Sequence, residues 1–143
     1  MLLQCGMKPP SAKRQRTLAL QERAIRFSVT VNECCPSDFT NVPSRVVWNQ
    51  LVRSADSASS NLVEADDASS DADFLSKIGI ALREVKEART SLAKIRMSSL
   101  DNHKKIATLN LESEAQQLAA IFATIILNMR LRLDQQSKAK RKL

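Results

Sequence analysis

Residues 70–98 read SDADFLSKIGIALREVKEARTSLAKIRMS, and this stretch decides the fold. Apolar side chains recur along it at three- and four-residue steps, while Lys77, Glu84 and Lys94 fall between them. A heptad kept this strictly predicts an amphipathic helix with one buried stripe. Ser70, three residues before Asp73, approximates a capping box, so we predict a helix over 71–98. The stripe consists of Phe74, Ile78, Ala81, Val85, Ala88, Leu92 and Ile95.

Apolar periodicity predicts three further helices in the chain. The first covers residues 17–35 and ends before Pro36, which cannot continue a helix. The second covers 44–66, after the turn-forming stretch 37–43. The fourth covers 104–136. The core stripe of the second helix consists of Trp48, Leu51, Ala55, Ala58 and Leu62.

The fourth predicted helix has more apolar residues than one stripe can hold. A heptad runs from Leu111 to Met129, but further apolar residues widen it on both sides. A helix that is apolar nearly all round must be buried on more than one side. We therefore expect a homo-oligomer in which this helix contributes to the subunit interface. The expected interface residues are Ile121, Ile126, Leu127 and Leu131.

Four helices with short connections predict an all-α, up-down-up-down four-helix bundle over residues 17–136. Residues 1–16 contain Pro9 and Pro10 and lack an apolar period, so we expect a disordered basic segment. Residues 137–143 form a basic C-terminal tail.

The net charge of +7 is concentrated at the two ends of the chain. Residues 1–16 contribute +4, residues 130–143 contribute 6 − 1 = +5, and the middle therefore totals −2. Basic termini attract polyanions, chiefly RNA or DNA, although they also serve solubility. With four Phe, one Trp and no Tyr, we expect contacts to the nucleic-acid backbone rather than base stacking. The candidate residues are Lys13, Arg14, Arg16, Arg130, Arg132, Lys138, Lys140, Arg141 and Lys142.

The composition argues against enzyme chemistry, so we predict no catalytic residue, cofactor or metal. Two glycines leave no glycine-rich phosphate loop, and His103, expected in a surface loop, is the one histidine. A carboxylate cluster straddles a helix end and a helix start, where acidic residues complement the helix dipole. Its members are Glu64, Asp66, Asp67, Asp71 and Asp73.

The three cysteines form no CxxC pair, which favours a reducing, cytoplasmic setting. The longest apolar run, residues 118–129, is shorter than the roughly 20 residues of a membrane span. We therefore expect a soluble protein with no membrane partner.

A polar stripe follows the second helix at three- and four-residue steps, on a different face from its core residues. Two interpretations stay open. The stripe is a solvated face, or it is a hydrogen-bonded network at a helix or subunit contact. Its residues are Gln50, Arg53, Ser57, Asn61 and Glu64.

Residues 50–65, QLVRSADSASSNLVEA, and residues 72–84, ADFLSKIGIALRE, carry a resemblance. In order and spacing they resemble the bacterial four-helix-bundle family associated with 23S rRNA intervening sequences, and Glu114–Leu118 is similar to its fourth-helix motif. The resemblance covers about residues 20–130. This chain departs from the family at Ala88 and Ser91, in a stretch where the family often has Thr and Trp.

The resemblance implies a helical bundle that assembles as a ring, commonly a pentamer, with no established enzymatic activity. Members are encoded within inserts in large-subunit ribosomal RNA genes or resemble such proteins. Related accessory proteins of diversity-generating retroelements contact nucleic acid and a reverse transcriptase. Two hypotheses follow: an oligomeric scaffold that binds RNA, or an interaction module whose partner is another protein.

Overall fold

Helix α3 spans Asp71–Met97 and lies where the heptad predicts it. The Asp73 N–H donates to Ser70 Oγ at 3.1 Å, so the predicted cap is formed. The Asp73 carboxylate in turn accepts a hydrogen bond from the N–H of Ser69, the residue before Ser70, at 3.0 Å. Both bonds satisfy amide groups that have no partner inside the helix, and they fix where α3 begins.

The computed structural model describes residues 8–142, and every regular element in that range is a helix. The others are α1 (Ala12–Cys34), α2 (Val42–Ala65), α4 (His103–Thr108) and α5 (Leu111–Arg141). The predicted all-α class is confirmed, with five helices in this range where the sequence predicts four. None of the five is both long and apolar enough to cross a membrane.

The core contains the apolar residues that the heptads predict. Helix α3 is central, since it packs against α2 on one side and α5 on the other, while α1 covers α2. Burying one large apolar side chain contributes roughly 1.5–3 kcal/mol, so these core residues together contribute much of the free energy that stabilises the fold. The largest fully buried apolar side chains are Trp48, Phe122, Leu51, Ile78, Leu92, Ile95 and Leu118.

Helix α1 begins earlier than the sequence predicts. Disorder is expected through Arg16, but the helix starts at Ala12, and Ser11 Oγ accepts a hydrogen bond from Arg14 N–H at 3.2 Å. The first turn is exposed, so it has no apolar period from which a helix could be predicted. The predicted disorder over residues 1–7 lies outside the described residues.

Helix α2 begins at Val42, two residues before its predicted start. The side chain of Asn41 accepts a hydrogen bond from Ser44 N–H at 2.9 Å and caps the helix. Pro43 lies in the first turn, where the amide proton that proline lacks would have no partner in any case.

The helix predicted over 104–136 is two helices. Helix α4 ends at Thr108, and α5 starts at Leu111, immediately after Asn110. The φ angle of Asn110 is 51°, a left-handed conformation that interrupts a right-handed helix. The buried side chain of Ile106 fixes α4 against the end of the bundle.

Candidate nucleic-acid interface

The two basic segments, far apart in sequence, meet at one end of the bundle. The guanidinium of Arg14, in the first turn of α1, bonds to the carboxylate of Asp66, which follows α2. Arg132 of α5 lies beside Asp71, the first residue of α3, with 3.5 Å between Nη2 and Oδ1. Lys13 and Arg132 line the same cleft. The fold therefore collects the predicted binding residues of both segments in one region.

Beyond Arg132, helix α5 extends past the end of the bundle. The predicted end is residue 136, but the helix runs on to Arg141, so most of the predicted tail is helical. At 1.5 Å of rise per residue, residues 133–141 project by about 14 Å. We call residues 133–142 the C-terminal arm. Leu133 is half-buried, and the other nine residues of the arm are exposed.

Basic side chains outnumber their acidic partners at this end. Three carboxylates pair there: Asp66 with Arg14, Asp71 with Arg132, and Asp134 with Lys138 at 2.7 Å. The bond from Arg14 lowers the pKa of Asp66, against the opposing effect of its desolvation. Within residues 8–142 the remaining basic side chains of this end form no ion pair. These are Lys8, Lys13, Arg16, Arg130, Lys140, Arg141 and Lys142.

A cleft of about 860 Å³ opens at the base of the arm, between α1, α5 and the turn from α2 to α3. Its apolar floor includes Phe74, which is half-buried and packs against the core. Polar and charged side chains, including Lys13 and Arg132, lie at its rim. The cleft separates the N-terminal half of α1 from α5, which are held together nearer the other end. There Arg23 forms two bonds to Glu114, at 2.6 and 2.9 Å.

The predicted polar stripe lies along the contact between α2 and α3. Arg53 pairs with Glu87 at 2.7 Å and with Glu84 at 3.4 Å, and Lys77 Nζ donates to Glu64 at 2.8 Å. Of the two interpretations, the geometry therefore favours a hydrogen-bonded network at a helix contact. The partners on α3 were not identified from the sequence, although an antiparallel pairing of the two helices would have aligned these charges.

The rest of the stripe is held within α2. Asn61 donates to the carbonyl of Ser57 at 2.9 Å and also contacts its hydroxyl at 3.3 Å. Gln50 is exposed at the N-terminal half of the same helix. None of these side chains lies in the region where the two basic segments meet.

The four predicted interface residues of α5 divide into two pairs. Ile121 and Ile126 are half-buried and pack against the core of their own bundle, so only part of each side chain is left for a subunit contact. Leu127 and Leu131 are 56% and 52% exposed and face away from it. Uncharged exposed residues continue this outer face. They are Gln116, Ala120, Ala123 and Thr124.

The candidate acidic cluster does not converge. Glu64, Asp66 and Asp71 each bind a different basic side chain, and Asp73 caps α3. No group of three or more His, Cys, Asp or Glu within residues 8–142 is placed to bind a metal ion. His103, expected in a loop, begins α4 and bonds through Nδ1 to a backbone carbonyl at 2.9 Å.

Comparison with known proteins places this geometry in a family. The sequence model of the family described as 23S rRNA-intervening sequence protein matches residues 16–123. A crystal structure from Bacteroides thetaiotaomicron VPI-5482, described as a protein of unknown function from the S23 ribosomal protein family, has a similar fold. The two chains share 24% identity with a TM-score of 0.60, over 75% of this chain and 97% of the other. No curated protein sequence matches significantly.

Proposed function

Because the chain belongs to the 23S rRNA-intervening sequence protein family, we propose that it is a non-catalytic, homo-oligomeric helical scaffold that binds RNA. The binding surface is the basic end, by which we mean the end of the bundle where the two basic segments meet. The observation that carries the proposal is the convergence of the two basic segments. Lys13 and Arg132 line one cleft, although they are 132 − 13 = 119 positions apart in the sequence. The family description connects its members with ribosomal RNA, which is a polyanion that such a surface attracts.

The proposed contact is electrostatic and largely independent of base sequence. Lysine and arginine side chains that form no ion pair with the protein are available to phosphate oxygens. The arm carries four basic residues, of which Lys140, Arg141 and Lys142 form no ion pair within residues 8–142, and it carries no aromatic residue. Its contacts therefore position RNA by its backbone, and their strength should fall steeply with salt.

The proposal includes an up-down-up-down order of α1, α2, α3 and α5. Contacts between neighbours support it. Lys77, near the start of α3, pairs with Glu64 near the end of α2, whereas Arg53, earlier in α2, pairs with Glu87, later in α3. Such a crossed order of contacts is expected of antiparallel helices.

The proposed assembly is a ring, for which the family resemblance implies a pentamer. A ring needs two different surfaces that fit each other, because each subunit contacts the next one head to tail. The outer face of α5, with Leu127 and Leu131, is one apolar surface. A second stripe lies on α1, where Leu18, Ile25 and Val29 are exposed at seven- and four-residue steps. We propose that these two surfaces pack together between neighbouring subunits.

Binding of RNA to the full chain and to a chain ending at residue 136 tests the proposed RNA contact. Filter binding between about 50 and 200 mM salt should give a linear decrease of log affinity with log salt for the full chain. Loss of the four basic residues beyond 136 should reduce that slope by about three and weaken binding at least tenfold. Helicity should fall only by the helical residues that are removed, 137–141, because they are exposed and contribute little to the core.

The matched control removes the same number of basic charges from the outer surface of α3. All four of its target side chains are exposed and lie away from the basic end. This variant should retain most of the affinity that the truncated chain loses. Failure of the full chain to retain RNA even at low salt would refute the proposed function. The control substitutions are Arg83→Gln, Lys86→Gln, Arg89→Gln and Lys94→Gln.

A further inference from the structure

Resting on the proposed function, we infer that the basic end prefers a duplex to a single strand, and that the C-terminal arm lies in a groove between two rows of phosphates. Three features of the described residues favour a duplex: the shape of the arm, the placement of its charges, and the position of the aromatic rings.

The arm is a helix that projects beyond the bundle. The last pairing of α5 with another helix is that of Arg132 with Asp71, and α5 continues from there to Arg141. A helix with its side chains is about 10–12 Å across, and the major groove of B-form DNA, at about 12 Å, admits it. The A-form major groove is deeper and too narrow to admit a helix, so on an RNA duplex the arm would lie along the mouth of the groove, between its two rows of phosphates.

The basic side chains of the arm lie on two sides of the helix. At 100° per residue, Arg141 and Lys142 lie 60° to one side and 40° to the other side of Lys138, whereas Lys140 lies 200° around the helix. A flat anionic surface or a single strand along one side would contact the first three residues and leave Lys140 without a phosphate. A groove with phosphates on both walls contacts all four. The charge pattern therefore fits paired strands.

The arm has no aromatic side chain on which an unpaired base could stack. Proteins that bind single strands without sequence preference stack bases on exposed aromatic side chains. Trp48, Phe27 and Phe122 are buried in the core, far from such a role. Phe74 is the aromatic residue nearest the basic end among residues 8–142, and its half-buried ring forms part of the cleft floor.

A duplex also offers the denser charge. It carries one phosphate per 1.7 Å of axis, about twice the density of either strand alone. Seven basic side chains at this end form no ion pair within residues 8–142, and they lie on or next to α1 and α5. The basic side chains near α1 and those near α5 lie on different sides of one cleft, so each group can contact one strand of a duplex.

The test compares an RNA duplex, a DNA duplex and one RNA strand of the same sequence, each labelled and titrated with the full chain in a fluorescence anisotropy assay. Both duplexes should bind on the order of tenfold more tightly than the strand near 100 mM salt. The comparison of RNA with DNA shows which groove geometry the arm prefers, and either preference among duplexes supports the inference.

Substitution of Ser137 separates the shape of the arm from its charge. Ser137→Pro retains every basic residue but breaks the helix within the arm, because proline lacks the amide proton and clashes with the preceding turn. The variant should lose most of the preference for duplex and bind the single strand as before. Ser137→Ala should behave as the unsubstituted protein. Phe74→Leu should leave the preference unchanged, since the ring takes no part.

Three outcomes would overturn the inference while leaving the proposed function intact. The strand binds as tightly as the duplexes with the same salt dependence; Ser137→Pro retains the duplex preference; or Phe74→Leu abolishes binding, which would indicate base stacking in the cleft. If neither strand nor duplex binds at low salt, the proposed function itself is wrong.

Discussion

Asp101 joins three parts of the fold at the end of the bundle away from the arm. Its carboxylate accepts hydrogen bonds from the backbone N–H of Thr40, at 2.9 Å, and from the hydroxyl of the same residue. Its carbonyl accepts the indole N–H of Trp48 at 2.9 Å, and its own N–H donates to Ser44 Oγ at 3.1 Å. The residue thus ties the segment before α2 to the turn after α3.

These bonds predict a pH dependence. The hydroxyl and the amide of Thr40 lower the pKa of Asp101 below the value of about 3.9 expected in the unfolded chain. A depressed pKa contributes stability above the unfolded value, and that contribution is lost as pH falls through the folded value. Asp101→Asn should therefore lower the melting temperature near neutral pH, and the difference from the unsubstituted protein should shrink below about pH 4.

Thermal unfolding followed by circular dichroism at several pH values measures this difference. Asp67→Asn is the control, because it removes the same charge from an exposed residue of the α2–α3 turn. It should have little effect on the melting temperature at any pH. A constant difference between Asp101→Asn and the unsubstituted protein down to acidic pH would show that the charge of Asp101 contributes nothing.

Single residues differ in how well the sequence predicted their surroundings. Trp48 and Ile78 are buried as the heptads require, because a core position depends mainly on periodicity. Ile126, which the sequence predicts at a subunit contact, is half-buried against the core of its own bundle. Helix α5 is apolar on more than one side, so periodicity could not tell which side faces the core. The bonds of Asp101 depend on a turn that no pattern specified.

At the scale of the helix, Gly79 is a weak point of α3. Glycine inside a helix costs about 0.5–1 kcal/mol relative to alanine, because it loses more backbone freedom on folding. A Cβ built on Gly79 meets no atom within 4 Å, so alanine fits without strain. Gly79→Ala should raise the free energy of unfolding by about that amount.

Urea unfolding should show a higher midpoint with an unchanged slope. Ala93→Gly, at another half-buried position of the same helix, should lower the midpoint by a comparable amount. A less stable Gly79→Ala variant would contradict the prediction. It would indicate that a neighbouring subunit approaches the backbone at this position and leaves no room for a methyl group.

The elements that the sequence placed best are those with both a period and a cap. Helix α3 has the heptad and the Ser70 cap, and its observed start is the predicted one. The break after α3 lies where the sequence predicts it, between residues 98 and 104. The break between α4 and α5 is not predicted, because Asn110 adopts the left-handed φ angle of 51° that glycine usually marks.

At the scale of the whole molecule, the candidate site depends on two facts. Charge counted along the chain gives the first, the two basic segments, and the fold gives the second, their proximity. The +4 and +5 segments could be located from the sequence, but their meeting at one end depends on how α1 and α5 pack. In the proposed ring, every subunit would present an arm on the same side. Several weak electrostatic contacts to one polyanion would then act together, which raises the effective affinity without any new contact.

The proposed ring makes a prediction that a symmetric dimer does not. Ile25→Glu places a charge on the α1 stripe, and Leu127→Glu places one on the outer face of α5. Both side chains are substantially exposed within one chain, so each variant should fold. Each should be monomeric alone, because every contact in a ring needs one intact surface of each kind. An equal mixture should form a dimer, in which the intact α5 face of one variant binds the intact α1 stripe of the other.

Light scattering of each variant and of the mixture distinguishes the possible interfaces. If one of these faces paired with its own copy across a two-fold axis, the variant that keeps that face would associate alone, without mixing. A mixture that stays monomeric would reject the pairing of α1 with α5. Met97→Glu is the control, since Met97 is highly exposed at the end of α3 and outside both surfaces. This variant should assemble as the unsubstituted protein does, because a charge there meets solvent and not a neighbouring subunit.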